Sequence, residues 1–216
     1  MIHLELLVED ISGKIMLDNL LPMILQDMPD VTYVIHPYKG IGRVPKNLKP
    51  GTRSKGRMLL DELPKLLNGY GKTFANWPSD ILGYVILVCD LDDKNIAEFE
   101  NQLLDILHAC IVQPEARFCF AIEEGEAWLL GDFSAVKAAY PNVQKNVLLN
   151  YKNDAVCGTW ELLANALSFN YKTAAWYEIG KKKAEWAEHI SPYMHIDENN
   201  SPSFQYFVKT LRELVR

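Results

Sequence analysis

The chain has 216 residues, 49% hydrophobic and 23% charged, which is ordinary for a globular α/β protein of one domain. Its net charge of −6 gives no hint of nucleic-acid binding by the molecule as a whole. No apolar run approaches the roughly 20 residues that span a bilayer, and the N-terminus carries acids where a signal peptide needs bases. We therefore expect a cytoplasmic protein without membrane contact.

The first part of the chain alternates predicted strands and helices. Strand candidates are rich in β-branched and aliphatic residues, whereas the segments between them repeat apolar residues with a helical period. The predicted elements are, in order, a strand at Ile2–Val8, a helix at Lys14–Leu25, a strand at Val31–His36, a loop at Lys39–Arg57, a helix at Arg57–Leu67 and a loop at Asn68–Asp80.

The most hydrophobic run, Tyr84–Cys89, predicts a strand buried on both faces, as in a parallel sheet covered by helices. It is followed by a predicted helix at Asp93–Ala109, a strand at Arg117–Ile122 and helices at Ala127–Tyr140, Asp154–Phe169, Tyr177–Ile190 and Ser203–Val215. This order predicts an α/β fold with a mainly parallel four-stranded sheet and helices on both faces. We expect this domain to occupy residues 1–140, with a C-terminal helical extension at 141–216 packed on it.

Carboxylates follow three of the four predicted strands. They are Glu9 and Asp10, then Asp90, Asp92 and Asp93, then Glu123, Glu124 and Glu126. The carboxyl ends of parallel strands share one edge of the sheet, so these groups can converge there and would repel one another unless a cation neutralised them. Asp90 and Asp92 point the same way if the chain stays extended for two residues past the strand. The pattern favours a Mg²⁺ or Mn²⁺ site, with acidic turns and helix N-caps as the alternative.

The segment Lys39–Arg57 contains seven bases and no acid, together with several glycines and prolines. Long loops inside compact domains tend to be functional, and a local positive cluster can grip phosphates on an acidic protein. We expect nucleic-acid contacts from Lys39, Arg43, Lys46, Arg53 and Lys55. The alternative is a docking loop for an acidic partner protein.

The acidic motifs resemble those of the TOPRIM domain, the metal-binding module of topoisomerases, primases and OLD-type nucleases. The chain looks closer still to a family of small stand-alone bacterial TOPRIM-like proteins, and the resemblance covers most of its length. The motifs that carry it are LLVEDxSGxxxLxxLLP (Leu6–Pro22), VILVCDLDD, AIEEGEAWLLGD (Ala121–Asp132) and KxxWAxxISPxM…NxSPSFxxF (Lys183–Phe207). One departure is Glu124-x-Glu126, which stands where topoisomerases have a simpler third acidic position.

The resemblance implies a TOPRIM-like (Rossmannoid) fold and a role for each acid. Glu9 would be the general acid/base or a metal ligand, Asp90 and Asp92 would be ligands, and Glu124 or Glu126 would complete the site. OLD-type nucleases also use a lysine beyond the sheet to stabilise charge. The candidates are Lys181, Lys182 and Lys183, of which we favour Lys183 as the catalytic one, with Ser203 close by.

The function that this resemblance implies is a Mg²⁺/Mn²⁺-dependent nuclease acting on DNA or RNA, an effector of anti-phage defence with a partner ATPase of the ABC/AAA type. A second hypothesis is a TOPRIM-like module that binds nucleic acid or a partner without cutting. A third is a small-nucleotide phosphatase, which would need Asp10 as its nucleophile. Trp128, Trp160, Trp176 and Trp186 have apolar neighbours at helical spacing, which favours core or interface packing over base stacking.

Overall fold

The computed structural model describes residues 1–44, 58–155 and 158–215, and these contain one sheet of four strands. The strands are β1 (Ile2–Val8), β2 (Val31–Pro37), β3 (Leu82–Asp90) and β4 (Glu115–Ala121). All are parallel, and they lie in the order β2-β1-β3-β4. The predicted α/β fold with a parallel four-stranded sheet is therefore confirmed, as a Rossmann-like arrangement.

Helices fill the connections between strands and most of the C-terminal part. They are α1 (Ile11–Ile24), α2 (Leu59–Phe74), α3 (Ile96–His108), α4 (Glu126–Leu130), α5 (Phe133–Ala139), α6 (Lys145–Leu148), α7 (Thr159–Ala166), α8 (Trp176–Ile190) and α9 (Pro202–Leu214), with a 3₁₀ turn at Ser191–Tyr193. In the ranges that the structure describes, no helix is both long and apolar enough to cross a membrane.

Strand β3 shows why the sheet is covered on both faces. Val85, Leu87 and Cys89 pack into a core with α2 and α3. Ile86 and Val88 point the other way, into a core that α1, α4 and the C-terminal helices share. Both sets are buried, so the unbroken apolar run of the sequence is the signature of a strand with helices on either side.

The strand order places a topological switch point between β1 and β3. The chain leaves β1 for α1 on one face, whereas it leaves β3 for α3 on the other. The two connections therefore diverge and open a crevice at the carboxyl ends of these neighbouring strands, which is where open α/β sheets bind ligands. Glu9 and Asp90 stand at this crevice.

The C-terminal helices share a hydrophobic core with the sheet. Helix α8 packs against α1, and α9 packs against β4. Trp128 of α4 stacks on Phe207 of α9 with ring centroids 5.0 Å apart. These two buried rings lie on either side of residue 140 in the sequence, so their contact joins the C-terminal part to the sheet domain. The division of the chain at residue 140 stays a prediction.

The predicted loop at Asn68–Asp80 is wrong for its first half, because α2 continues to Phe74. The reason is a tertiary contact at Gly71: a Cβ at this position would lie 1.9 Å from the carbonyl oxygen of Val112. Glycine lets the helix approach the chain after α3 that closely, and Leu67 remains buried alongside. Packing thus outweighs the weak helix propensity of glycine.

The predicted single helix at Ala127–Tyr140 is two helices, α4 and α5, broken at Gly131 and Asp132. A Cβ on Gly131 would lie 2.1 Å from Oδ1 of Asn199, so the break accommodates the segment before α9. Asp132 is the N-cap of α5, and its Oδ1 accepts a hydrogen bond from the amide of Ala135 at 3.0 Å.

Candidate functional site

Glu9 and Asp90 lie side by side at the ends of β1 and β3. The backbone amide of Asp90 donates a hydrogen bond to Oε2 of Glu9 at 3.1 Å, and the amide of Glu9 donates to the carbonyl oxygen of Val88 at 3.2 Å. Two adjacent strands thus hold both acids through backbone contacts. Their convergence follows directly from the parallel pairing of the strands.

The third acidic segment reaches the same crevice from β4. Backbone hydrogen bonds between the two chains continue past β3 and β4. The amide of Leu91 donates to the carbonyl oxygen of Ala121, and the amide of Asp92 donates to the carbonyl oxygen of Glu123. This register brings the chain that contains Glu124 and Glu126 beside Asp90. The Glu126 side chain is 5% exposed, an unusual burial for a carboxylate.

Lys183 of α8 joins this acidic segment. Its Nζ lies 3.1 Å from Oε2 of Glu124 and 3.1 Å from Oε2 of Glu126, and its side chain is 18% exposed. The Glu126 oxygen accepts no hydrogen bond, so the ion pair with Lys183 is what compensates its buried charge. Lys183 Nζ also lies 5.8 Å from the ring centroid of Trp160.

A small cavity of about 40 Å³ lies among these groups, and much of its lining is apolar. Its walls include Glu9, Asp10, Asp90, Glu126 and Lys183. A site of roughly 10–15 Å³ holds one water molecule, so this cavity has room for about three waters or for a partly hydrated ion.

Three carboxyl groups of this region, those of Glu9, Asp90 and Glu124, have a raised pKa. Burial raises the pKa of Glu9 to about 7, and the neighbouring Asp10 and Asp92 add to this effect. Burial and the proximity of Glu9 raise the pKa of Asp90 well above its usual range. The pKa of Glu124 rises to about 7, mainly through burial, although Lys183 opposes the shift.

The nearby acids also raise the pKa of Lys183. Burial would lower the pKa of its ammonium group, but Glu126, Glu124 and Asp90 together raise it above its ordinary value. The lysine is therefore charged at neutral pH. A crevice with several carboxyls of raised pKa and one fixed cation is typical of a functional site, since such groups favour a further positive charge.

Two acids of the predicted cluster are engaged elsewhere. The chain does not stay extended after β3: Asp92 has a φ of 52°, and its carboxylate pairs with Lys94. The condition under which Asp92 would point the same way as Asp90, an extended chain, is therefore not met, although Asp92 is close enough to affect the pKa of Glu9. Glu123 turns to the N-terminus of α7, where it accepts hydrogen bonds from the amides of Gly158 and Thr159 at 2.5 and 2.8 Å.

Asp10 lines the cavity but serves as the N-cap of α1. Its Oδ1 accepts hydrogen bonds from the amide of Gly13 and the hydroxyl of Ser12, both at 2.8 Å. A carboxylate bound in this way is a weaker nucleophile than a free one, which disfavours the phosphatase hypothesis.

The other residues predicted together with Lys183 lie apart from the acids. Lys182 pairs with Glu185 at 2.7 Å, and Lys181 is exposed. Ser203 does not line the cavity; its hydroxyl accepts a hydrogen bond from Nε1 of the buried Trp128 at 2.9 Å. Of the three lysines, the structure brings only Lys183 to the acids.

The basic segment starts beside the acids. The amide of Gly40 donates to the carbonyl oxygen of Glu9 at 2.9 Å, and the amide of Leu59 donates to Gly40 at 3.0 Å. The start of the segment and the chain just past it, at Leu59, thus meet at the crevice edge of the sheet. Lys39 and Arg43 are exposed there, whereas Lys46, Arg53 and Lys55 lie outside the described residues.

The carboxylate oxygens are ligands that Mg²⁺ and Mn²⁺ prefer, and the buried Glu126 oxygen without a hydrogen bond is one that a cation would satisfy. The residues therefore fit a divalent ion chemically. In the part of the chain that the structure describes, no group of three or more His, Cys, Asp or Glu side chains could hold a metal ion as it stands. Comparisons of the chain with protein-family models, with curated proteins and with solved structures find no match.

Proposed function

We propose that this protein is a Mg²⁺/Mn²⁺-dependent phosphodiesterase of the TOPRIM type, a nuclease acting on DNA or RNA. The observation that carries the proposal is the hydrogen-bonded pair Glu9–Asp90 at the switch point of the sheet, next to the buried Glu126–Lys183 ion pair. Four ionisable groups from four segments of the chain, Glu9, Asp90, Glu126 and Lys183, line one cavity. Such a collection is costly to bury and is typical of functional sites.

In this proposal Asp90, Glu9 and Glu126 hold the metal ion, with Glu124 beside them and Asp92 as a further ligand predicted from the sequence. When bound, the ion would supply an activated water and neutralise charge on the phosphate. It would compete with Lys183 for the glutamates, because the ammonium group now pairs with both.

The chain's own residues supply proton transfer and charge. A carboxyl group with a pKa of about 7 exists in both protonation states at neutral pH, so Glu9 is suited to take a proton from the attacking water. Lys183 stays protonated and can stabilise negative charge that develops on phosphate oxygens.

In this proposal the basic segment binds the substrate. Lys39 and Arg43 are exposed at the edge of the sheet that carries Glu9. Lys46, Arg53 and Lys55 extend the positive charge in the sequence and would hold flanking phosphates. A partner ATPase of the ABC/AAA type and a role in anti-phage defence belong to the proposal through the resemblance alone.

The test is cleavage of plasmid DNA and of tRNA by the purified protein with Mn²⁺, with Mg²⁺ and with EDTA. Asp90→Asn should abolish cleavage, because a neutral amide neither attracts the ion nor matches the charge of the carboxylate. Asp93→Asn is the matched control, since Asp93 is exposed three residues away. Cleavage that persists in EDTA or in Asp90→Asn would overturn the metal mechanism.

A second candidate function is a TOPRIM-like module that binds nucleic acid or a partner but cuts nothing. The observation that favours it is that Lys183 already neutralises Glu124 and Glu126 without any added ion. Calorimetric titration with Mn²⁺ separates the two. Binding that Asp90→Asn weakens supports the enzyme, whereas no heat of binding at millimolar Mn²⁺ supports the module.

A further inference from the structure

Helix α8 carries a line of residues that leads from the candidate site into solvent. Lys183 and Ala187 line the cavity, so their side of the helix faces the acids. Residues three, four and seven positions apart lie on one side of a helix. Trp176 is seven positions before Lys183 and therefore continues the same side, about 10 Å farther along the axis.

The expected core packing is not found for Trp176, whose side chain is exposed. It is 84% exposed and the adjacent Tyr177 is 67% exposed, whereas Trp128 and Trp186 are buried. An added Cβ at Gly180, between Trp176 and Lys183, would meet no atom within 4 Å. The path along the helix from the exposed ring to the cavity is therefore open to solvent.

A second aromatic group borders the lysine. The ring centroid of Trp160 lies 5.8 Å from Lys183 Nζ, and the ring makes an edge contact with Tyr171 at 5.0 Å. Aromatic rings thus occur both next to the reacting groups and one helix segment away. Every nucleobase offers a flat face that can stack on such rings.

Lysines lie on both sides of Trp176 in the sequence. Residues 170–183 contain four lysines and one glutamate, on a chain of net charge −6. That glutamate, Glu178, is held by the amide of Ala175 at 2.7 Å. Lys172 and Lys181 are exposed beside the aromatic residues. Lys182 pairs with Glu185, and Lys183 pairs with Glu124 and Glu126, so Lys172 and Lys181 are the positive charges that a polyanion with flat rings would meet here.

We propose that Trp176, with Tyr177 next to it, is a stacking platform for unpaired bases, so that the substrate class of the site is single-stranded nucleic acid. This inference rests on the proposed function, because it assigns the substrate of the same crevice. Bases stacked on Trp176 would lead the phosphate backbone past Lys181 toward Lys183 and the acids. A duplex keeps its bases stacked on each other and offers this ring no free face.

The test measures binding of the full-length protein, in EDTA to prevent cleavage, to a fluorescein-labelled oligothymidine and to a duplex of equal length. Base–aromatic stacking contributes enough affinity that Trp176→Ala should weaken oligothymidine binding about 5- to 100-fold. Duplex binding should change less than about twofold. Trp176→Phe should retain most of the affinity, since phenylalanine also stacks.

Tyr193→Ala is the matched control. Tyr193 is a 53% exposed aromatic residue in the turn after α8, separated from Trp176 by the whole length of that helix, about 22 Å. Oligothymidine should also quench tryptophan fluorescence in the wild type and quench it less in Trp176→Phe, a signal that a merely structural role would not produce. The affinity for oligouridine, measured in the same way, compares binding of RNA with binding of DNA.

Three results would overturn the platform: wild-type affinity of Trp176→Ala for oligothymidine, an equal loss of duplex binding, or loss of self-association in sedimentation with unchanged oligonucleotide binding. The last would identify a protein contact. The stacking platform and the nuclease activity can each be rejected without rejecting the other. A wild type that cleaves while Trp176→Ala binds normally rejects only the platform, and a wild type that never cleaves but loses oligothymidine binding in Trp176→Ala rejects only the nuclease.

Discussion

The ammonium group of Lys183 lies 3.1 Å from Oε2 of Glu126, and both side chains are largely buried. The two residues come from different helices, α8 and α4, and they meet at the edge of the sheet where Glu9 and Asp90 lie. This pair makes Lys183 both a part of the structure and a competitor of any cation at the site.

Replacing Lys183 with Met should have two opposite effects. The metal-free protein should lose about 3–5 kcal/mol of unfolding free energy at neutral pH, because Glu124 and Glu126 lose their buried counter-charge. Mn²⁺ should bind more tightly, since it no longer competes with an ammonium group, while cleavage is lost.

Lys181→Met is the control for this prediction, because Lys181 is exposed on the same helix. Denaturant unfolding with EDTA and calorimetry with Mn²⁺ give the two quantities. Weaker Mn²⁺ binding by Lys183→Met would contradict the competition between lysine and metal.

The raised pKa of Glu9 predicts how stability depends on pH. Its carboxyl group titrates at about 7 in the folded protein and near 4.5 when unperturbed, so the folded state holds the proton more tightly. The metal-free protein should therefore lose stability as pH rises from about 4.5 to about 7, by up to about 3 kcal/mol from this residue. Glu9→Gln should flatten that decline and be more stable than the wild type at pH 8. Identical pH profiles of unfolding for the two proteins would contradict this prediction.

The basic segment and the acids should be separable by mutation. Replacing Arg43, Lys46 and Arg53 together with Ala should weaken nucleic-acid binding and reduce its salt dependence by roughly one unit of slope per lost phosphate contact. Cleavage at saturating substrate should change much less. Replacing Asp90 and Asp92 should do the reverse, with binding unchanged or tighter because negative charge facing the phosphates is gone.

Salt-titrated binding and single-turnover cleavage measure the two effects. Normal binding by the triple variant at every salt concentration would mean that the segment does not hold phosphates, and would favour the docking of an acidic partner.

Asp132 predicts a pH dependence of the opposite sign. Burial alone would raise the pKa of its carboxyl group, but hydrogen bonds from Ser134, from the amide of His195 and from the amide of Ala135 hold it below the ordinary value. The stability it contributes is therefore present above about pH 4 and lost as pH falls through the lowered pKa. Asp132→Ala should cost about 2 kcal/mol at pH 7 and less in acid, whereas Asp27→Ala, in an exposed turn, should cost little. Thermal unfolding at both pH values checks this.

The sheet and its acidic edge are predictable because short-range pattern determines them. An apolar run such as Val85–Cys89 has few alternatives to a central strand, and parallel pairing then brings Glu9 to Asp90 without further information. The position of Lys183 on the inner side of its helix can also be predicted from the sequence, through its spacing from apolar residues. Lys183 precedes the buried Trp186 and Ala187 by three and four positions, which places it on the inner side of α8.

Other features depend on contacts that no local pattern contains. The length of α2 depends on the close approach of Gly71 to Val112, two residues far apart in the sequence. The chain stops being extended at Asp92, whose φ is positive, and the Glu123 carboxylate binds the start of α7. Each of these is decided by which partner happens to be in reach after the chain has folded.

The position of Lys183 on α8 has a consequence for biosynthesis. A nascent chain that has left the ribosome only as far as α5 can pair its four strands, yet it carries Glu124 and Glu126 without their cation. The candidate site is therefore incomplete until α8 has been translated and has docked on α1. A chain that ends before α8 should therefore lack every property of the site that depends on the ammonium group of Lys183.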